Sequence, residues 1–271
     1  MQQQLKNILG NPWANQFILV GYVAKGILYF LIGVLAIRAA FMTGKEAVGT
    51  YNTLVTLGQQ PWGGVFLCFL GVGLMGYVLR RFLQAVLDPG YSDSSNLKRI
   101  LHRLGYIMSG FSYAGIAYSA LDVYLELGEQ DDKIEDVVKE LFMQPFGKWL
   151  VFLGGIFVVG IGLSYMYGAY TGSYISDFRS RELWDSFEEW AIATGKVGVA
   201  SRGVAFVLTG SFLIQAVVWT DIDLAGGLEN AFQIVSLQPL GWLWLGLIGM
   251  GFVAYGLYLF VSVRYRRFIL R

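Results

Sequence analysis

Gln60-Pro61-Trp62-Gly63 returns as Gln144-Pro145-Phe146-Gly147 and again as Gln238-Pro239-Leu240-Gly241. A proline that opens a helix loses nothing by its missing N–H. Each copy begins an apolar run, at about 62–87, 146–174 and 240–268. Upstream of each lies another run, at about 17–42, 103–126 and 197–219. These also share a start: Gly21-Tyr22-Val23-Ala24-Lys25-Gly26, Gly105-Tyr106-Ile107-Met108-Ser109-Gly110 and Gly198-Val199-Ala200-Ser201-Arg202-Gly203. An aromatic follows three residues later each time, as Tyr29, Tyr113 and Phe206. Gly71, Gly155 and Gly249 each fall ten residues after the proline of their turn. The chain is therefore one helix pair written three times.

About 20 apolar helical residues cross the roughly 30 Å hydrocarbon layer, so each run is long enough to span. The runs exceed a tilted barrel strand and lack its alternation. Composition agrees: of 271 residues, 55% are hydrophobic without counting 35 glycines, only 14% are charged, and the mean hydropathy is +0.53. That excludes a soluble domain, a disordered chain and a nucleic-acid-binding protein. A single cysteine excludes a disulfide framework and a multi-cysteine metal site. The first run is too long for a signal-peptide core, so no cleaved signal is expected.

A two-helix unit returns the chain to its starting side, which makes the repeats parallel and relates them by an axis along the membrane normal. The expected fold is an all-α polytopic membrane protein with six spans and pseudo-three-fold symmetry. Its parts are an N-terminal segment 1–16, repeats 17–87, 103–174 and 197–268, linkers 88–102 and 175–196, and a tail 269–271. With the termini and linkers on one side, that side holds fifteen of the twenty Lys and Arg residues. The cation excess orients the chain with both termini in the cytoplasm. Each outer connection should carry a short helix, at Val48–Leu57, Ile134–Phe142 and Leu228–Leu237. The apolar spacing of Ile134, Val137, Val138 and Leu141 suits a helix lying on the outer surface.

The triplicated pair, the shared helix starts, the Gln-Pro-x-Gly turns and the closing Val263-Arg264-Tyr265-Arg266-Arg267 resemble a bacterial integral-membrane family. That family is of unknown function and is built from a transmembrane helix pair repeated three times. The resemblance implies a fold and no activity. The third helix start departs from the pattern, with Val199 in place of tyrosine.

Four groups of residues stand out. Arg38, Asp122 and Gln215 occupy one repeat-equivalent position near the outer boundary, where a pseudo-three-fold axis could gather them into a polar cluster; the alternative is that they mark helix ends in water. Lys25 and Arg202 are equivalent to each other, and with Arg103 and Arg264 they are candidates for lipid-headgroup contact by snorkelling. Gly160, Ser164, Gly168 and Gly172 recur every four residues as a helix-packing seam. The same surface could instead be a groove for an acyl chain or a flat pigment. His102 is the only histidine, too few for a zinc cluster or a two-histidine haem.

No nucleophile triad, P-loop or dinucleotide fingerprint is visible. No catalytic or metal residue is assigned and no cofactor is expected, although the surfaces would admit bound lipid or an apolar pigment. The expected function is a non-enzymatic accessory or scaffold protein of a bacterial-type cell or internal membrane. Its partners would be membrane lipids or another membrane protein complex, and not nucleic acid. The alternative is a small-solute or ion channel along the pseudo-three-fold axis.

Overall fold

The computed structural model describes residues 12–42, 49–87, 96–125, 133–172, 185–225 and 227–265. The side chains of residues 96–98, 101, 133–137, 185–188, 223, 264 and 265 lie outside that description. The described residues form helices and turns only. The odd helices of the three pairs are α1 (Pro12–Phe41), α4 (Asn96–Tyr124) and α7 (Asp185–Trp219). The even helices are α3 (Gly63–Leu87), α6 (Gly147–Thr171) and α9 (Gly241–Tyr265). Between the members of each pair comes a short helix: α2 (Thr50–Gly58), α5 (Lys133–Phe142) and α8 (Leu228–Ser236), with a 3-10 turn at Ile222–Ala225. Helices α1, α3, α6, α7 and α9 are long and apolar enough to cross a membrane. Helix α4 is 29 residues long and opens on Lys98, Arg99 and Arg103, so it is less apolar. The protein is a polytopic all-α membrane protein.

The turns explain their own sequence. The amide of Gly63 donates to Gln60 O at 2.8 Å, that of Gly147 to Gln144 O at 3.0 Å, and that of Gly241 to Gln238 O at 2.8 Å. A Cβ on any of these glycines would fall against a carbonyl of the preceding short helix: Leu57 O, Leu141 O or Val235 O. Glycine is the residue that lets the chain reverse this tightly, and the turn recurs because the geometry does.

The glycine ten residues after each proline builds the contact between repeats. A Cβ on Gly71 would meet Leu121 Cγ at 2.6 Å and Ala117 O at 3.2 Å, on α4. On Gly155 it would meet Ile214 Cγ1 at 2.8 Å and Gly210 O at 3.0 Å, on α7. On Gly249 it would meet Gly33 O and Ile37 Cγ1, both at 2.9 Å, on α1. Ile37, Leu121 and Ile214 are repeat-equivalent, as are Gly33, Ala117 and Gly210. One interface is therefore made three times, and the last joins the end of the third repeat to the start of the first. That cyclic recurrence is pseudo-three-fold packing, held by the small-residue approach that replaces hydrophobic driving force between helices in lipid.

Contacts within the pairs break the symmetry. Helices α1 and α3 pack together, as do α7 and α9, whereas α4 and α6 scarcely touch. Only 17% of the apolar window of α6 is buried, against 56% for α1, α3 and α9. The six-helix ring is open along the second pair.

At the turn end, α2 and α8 insert rather than lie flat. Leu54 and Phe232 are fully buried in the main core, and the Asn52 amide bonds the Glu229 carboxylate between the two helices. Helix α5 packs instead on α6 and the 3-10 turn, with Val138 buried beside Val151, Ala216 and Ala225.

Candidate functional site

Lys25 and Arg202 are turned inwards, not snorkelled to the surface, at 1% and 4% exposure. Lys25 Nζ donates to Tyr77 Oη at 2.8 Å. It also lies 4.1 Å from the Tyr77 ring centroid, 4.7 Å from that of Tyr113 and 5.6 Å from that of Tyr255. Arg202 donates from Nη1 to Tyr255 Oη at 2.9 Å and from Nη2 to Tyr113 Oη at 3.0 Å. Its guanidinium faces the rings of Tyr29, Tyr165, Phe206 and Tyr255 at 4.7–5.3 Å. Tyr29 and Tyr113 bond each other through their hydroxyls at 2.8 Å. Phenol oxygens and ring faces thus attract both cations inside the bundle.

Two more cations extend the cluster towards the end that carries the chain termini. Arg81 donates from Nε to Tyr77 Oη at 2.7 Å and from Nη1 to Gln84 Oε1 at 3.0 Å. Arg80 is buried with its guanidinium 5.0 Å from the Tyr22 ring centroid. Lys25, Arg80, Arg81 and Arg202 line one cavity of about 350 Å³, which also reaches His102 and Tyr106 on α4 and Ser164 and Gly168 on α6. It sits where α4 and α6 part. On α1, α3, α4, α6 and α9 the only acidic residue is Asp122, near the far end of α4. The acids of α7 are confined to its first turns, at Asp185, Glu188 and Glu189. The Arg202 Nε is buried with no hydrogen-bond partner. Such a cavity can accept the oxygens of an anion.

Registering the even helices on their turn glutamines reveals the logic. Seventeen residues on stand Tyr77, Ile161 and Tyr255. The pair Lys25–Tyr77 in the first repeat is thus the pair Arg202–Tyr255 in the third. In the second the same two positions are Ser109 and Ile161, which cannot form it. The polar bond across a pair is absent from the one pair that stands open. Tyr77, Tyr255, Arg80 and Arg81 escaped the sequence reading; this register is the signal that would have found the two tyrosines, whereas Arg80 and Arg81 have Ser164, Tyr165 and Tyr258, Leu259 at their equivalent places and carry no such signal.

The other sequence candidates are placed differently. Arg38 is exposed and turns along its own helix, Nε to Met42 Sδ at 3.4 Å. Asp122 is buried and Gln215 half-buried. Arg38 makes no ion pair with Asp122, so the polar cluster expected at the turn end does not assemble around that pair. Arg38→Ala and Asp122→Ala should therefore be additive in detergent melting, with Arg38→Ala costing at most about 1 kcal/mol. Coupling larger than that in the double variant would contradict this arrangement.

Arg103 is half-buried, and the Arg264 side chain lies outside the described residues. In the expected seam, nothing lies within 4 Å of a Cβ built on Gly160. Ser164 is exposed, and Gly172 caps α6 in a left-handed conformation at φ 71°. The face that packs is the opposite one, Gly155 and Gly162 against Gly210 and Gly203. A stripe of small residues on an apolar helix is the same pattern whether a helix or lipid faces it.

Residues 20–88, 104–172 and 197–266 each match the Domain of Unknown Function DUF1206. The chain belongs to this family. It is 31% identical over 249 residues to the uncharacterized protein YxxB of Bacillus subtilis (strain 168), covering 91% of this chain and 89% of the relative. No solved structure matches. The three DUF1206 copies are the three helix pairs, and the second copy is the one whose helices part at the cationic cavity.

Proposed function

We propose that this DUF1206 protein is a non-enzymatic membrane protein that binds an anionic ligand in the cavity between α4 and α6. The observation that carries the reading is the convergence of Lys25, Arg80, Arg81 and Arg202, from three helices, on one cavity. The cavity volume of about 350 Å³ falls in the range of small-ligand sites. Arginine and lysine bind phosphate-type oxygens through charge-assisted bonds. By the fifteen-to-five cation split, the cavity sits in the cytoplasmic half of the membrane, with both chain termini on that side.

A channel along the axis is disfavoured by what fills the bundle. Tyr29, Tyr77, Tyr113 and Tyr255 from α1, α3, α4 and α9 meet edge to face or through hydroxyls around the two cations. Leu54 and Phe232 close the turn end. The role is accessory: the molecule holds a membrane component and converts nothing.

Titration of the purified protein in mild detergent with glycerol 3-phosphate tests the reading by calorimetry. Saturable binding that weakens with added salt is expected, and tetramethylammonium should not bind. Failure of the phosphate ester to bind, or equal binding of the cation, would overturn it.

A further inference from the structure

We infer that the ligand is a phosphate-bearing lipid that enters sideways from the bilayer, between α4 and α6, with its chain laid along the Gly160–Ser164–Gly168 face of α6. This rests on the reading of the cavity as an anion site. The cavity is lined on one side by His102 and Tyr106 of α4 and on the other by Ser164, Tyr165 and Gly168 of α6. Those helices scarcely touch, so its walls part towards lipid. The buried Arg202 Nε, which has no hydrogen-bond partner, lies in the same lining.

The small-residue face continues from the cavity towards the membrane midplane. Gly168, Ser164 and Gly160 lie one turn apart on one side of α6, away from its α7 contact through Gly155 and Gly162. Gly160 is about 12 Å from Gly168 along the axis and stands near the middle of the 25-residue helix. A Cβ there would meet nothing within 4 Å. A lipid of the leaflet at the basic end has this same layout, with its anion near the membrane surface and its chains pointing to the midplane. A water-soluble phosphate would use the cations and leave the open face of α6 beyond them unused.

Phosphatidic acid and glycerol 3-phosphate share a headgroup and differ in the chains. Binding of the first is followed by native mass spectrometry of the detergent-purified full chain, and of the second by calorimetry. The wild type should bind phosphatidic acid at least about tenfold more tightly, because chain burial adds to headgroup binding. Gly160→Trp projects a bulky ring from this open face and should remove that advantage while leaving glycerol 3-phosphate affinity within about twofold. Leu150→Trp, 58% exposed on the same helix but about 15 Å from Gly160 towards the turn end, should change neither.

If both probes bind but Gly160→Trp does not weaken phosphatidic acid, lateral seating is overturned and the anion site stands. Lateral seating is equally overturned if Leu150→Trp weakens phosphatidic acid as much, or if Gly160→Trp weakens both probes alike; phosphatidylcholine binding as tightly as phosphatidic acid would overturn the anion site. If glycerol 3-phosphate does not bind the wild type, the anion-site reading itself falls.

Discussion

The Lys25→Met/Arg202→Met double variant should lose at least about 100-fold in affinity for glycerol 3-phosphate, yet melt within about 5 °C of the wild type when no anion is present. The first effect follows from charge-assisted hydrogen bonds, each contributing roughly 1.5–3 kcal/mol. Removing two such donors from a buried site therefore costs about 3–6 kcal/mol of binding. The second follows from opposing terms in the unliganded protein. Replacing buried charges by apolar side chains of similar length is often neutral, or stabilising by about 1–4 kcal/mol. Against this, Tyr77, Tyr113 and Tyr255 each lose a hydrogen-bond donor, at about 1 kcal/mol apiece. The balance is small, and in a chain of this size 1 kcal/mol moves the midpoint by about 2–4 °C. A collapse of thermal stability with no ligand added would instead make the two cations structural, and the site reading would fail. Lys25→Arg separates charge from shape: the charge is kept, and most of the binding should remain.

Gly162→Val should destabilise the protein by about 3 kcal/mol or more, and Gly160→Val by no more than about 0.5 kcal/mol, although the two glycines are two residues apart on one helix. A Cβ on Gly162 meets Gly203 O and Val207 Cγ2 at 2.7 Å and Val207 N at 2.8 Å. Two of those atoms are backbone, which cannot step aside as a side chain tip can. The helices must separate, and the loss spreads along the whole α6–α7 interface. Beyond α7, helix α6 packs only on the short α5 among the described residues and scarcely touches α4. Loss of this interface should free the second helix pair as a unit, visible as protease cleavage of α6 ahead of global melting. Equal melting of the two variants would mean that α6 is not held through this face.

Much of the architecture is legible without coordinates, because it rests on local chemistry. The Gln-Pro-x-Gly turns specify a tight reversal that only glycine fits, so three copies in the sequence mean three copies in the fold. The short helix before Gln144 follows from its apolar spacing and those before Gln60 and Gln238 from the repeat, and α2, α5 and α8 are found there. The glycine ten residues after each proline was visible as a repeat, although its role as the contact between repeats was not. What could not be read was the face each helix turns inwards. A soluble helix shows its buried side by polarity, but lipid is as apolar as a protein interior and erases that signal. Lys25 and Arg202 therefore read equally well as surface anchors or as interior cations, and Gly160 reads equally well as packing or as open surface.

The sequence by itself determined six helices in three parallel pairs, their reversals and the sidedness of their charge, since propensity, turn sterics and length act within a few residues. The tertiary structure alone decided that the second pair stands apart and that four cations from three helices share one cavity there. Both depend on contacts between residues 50 or more positions apart, Lys25 with Tyr77 and Arg202 with Tyr255. The second repeat has Ser109 and Ile161 at those places, and they cannot form that bond.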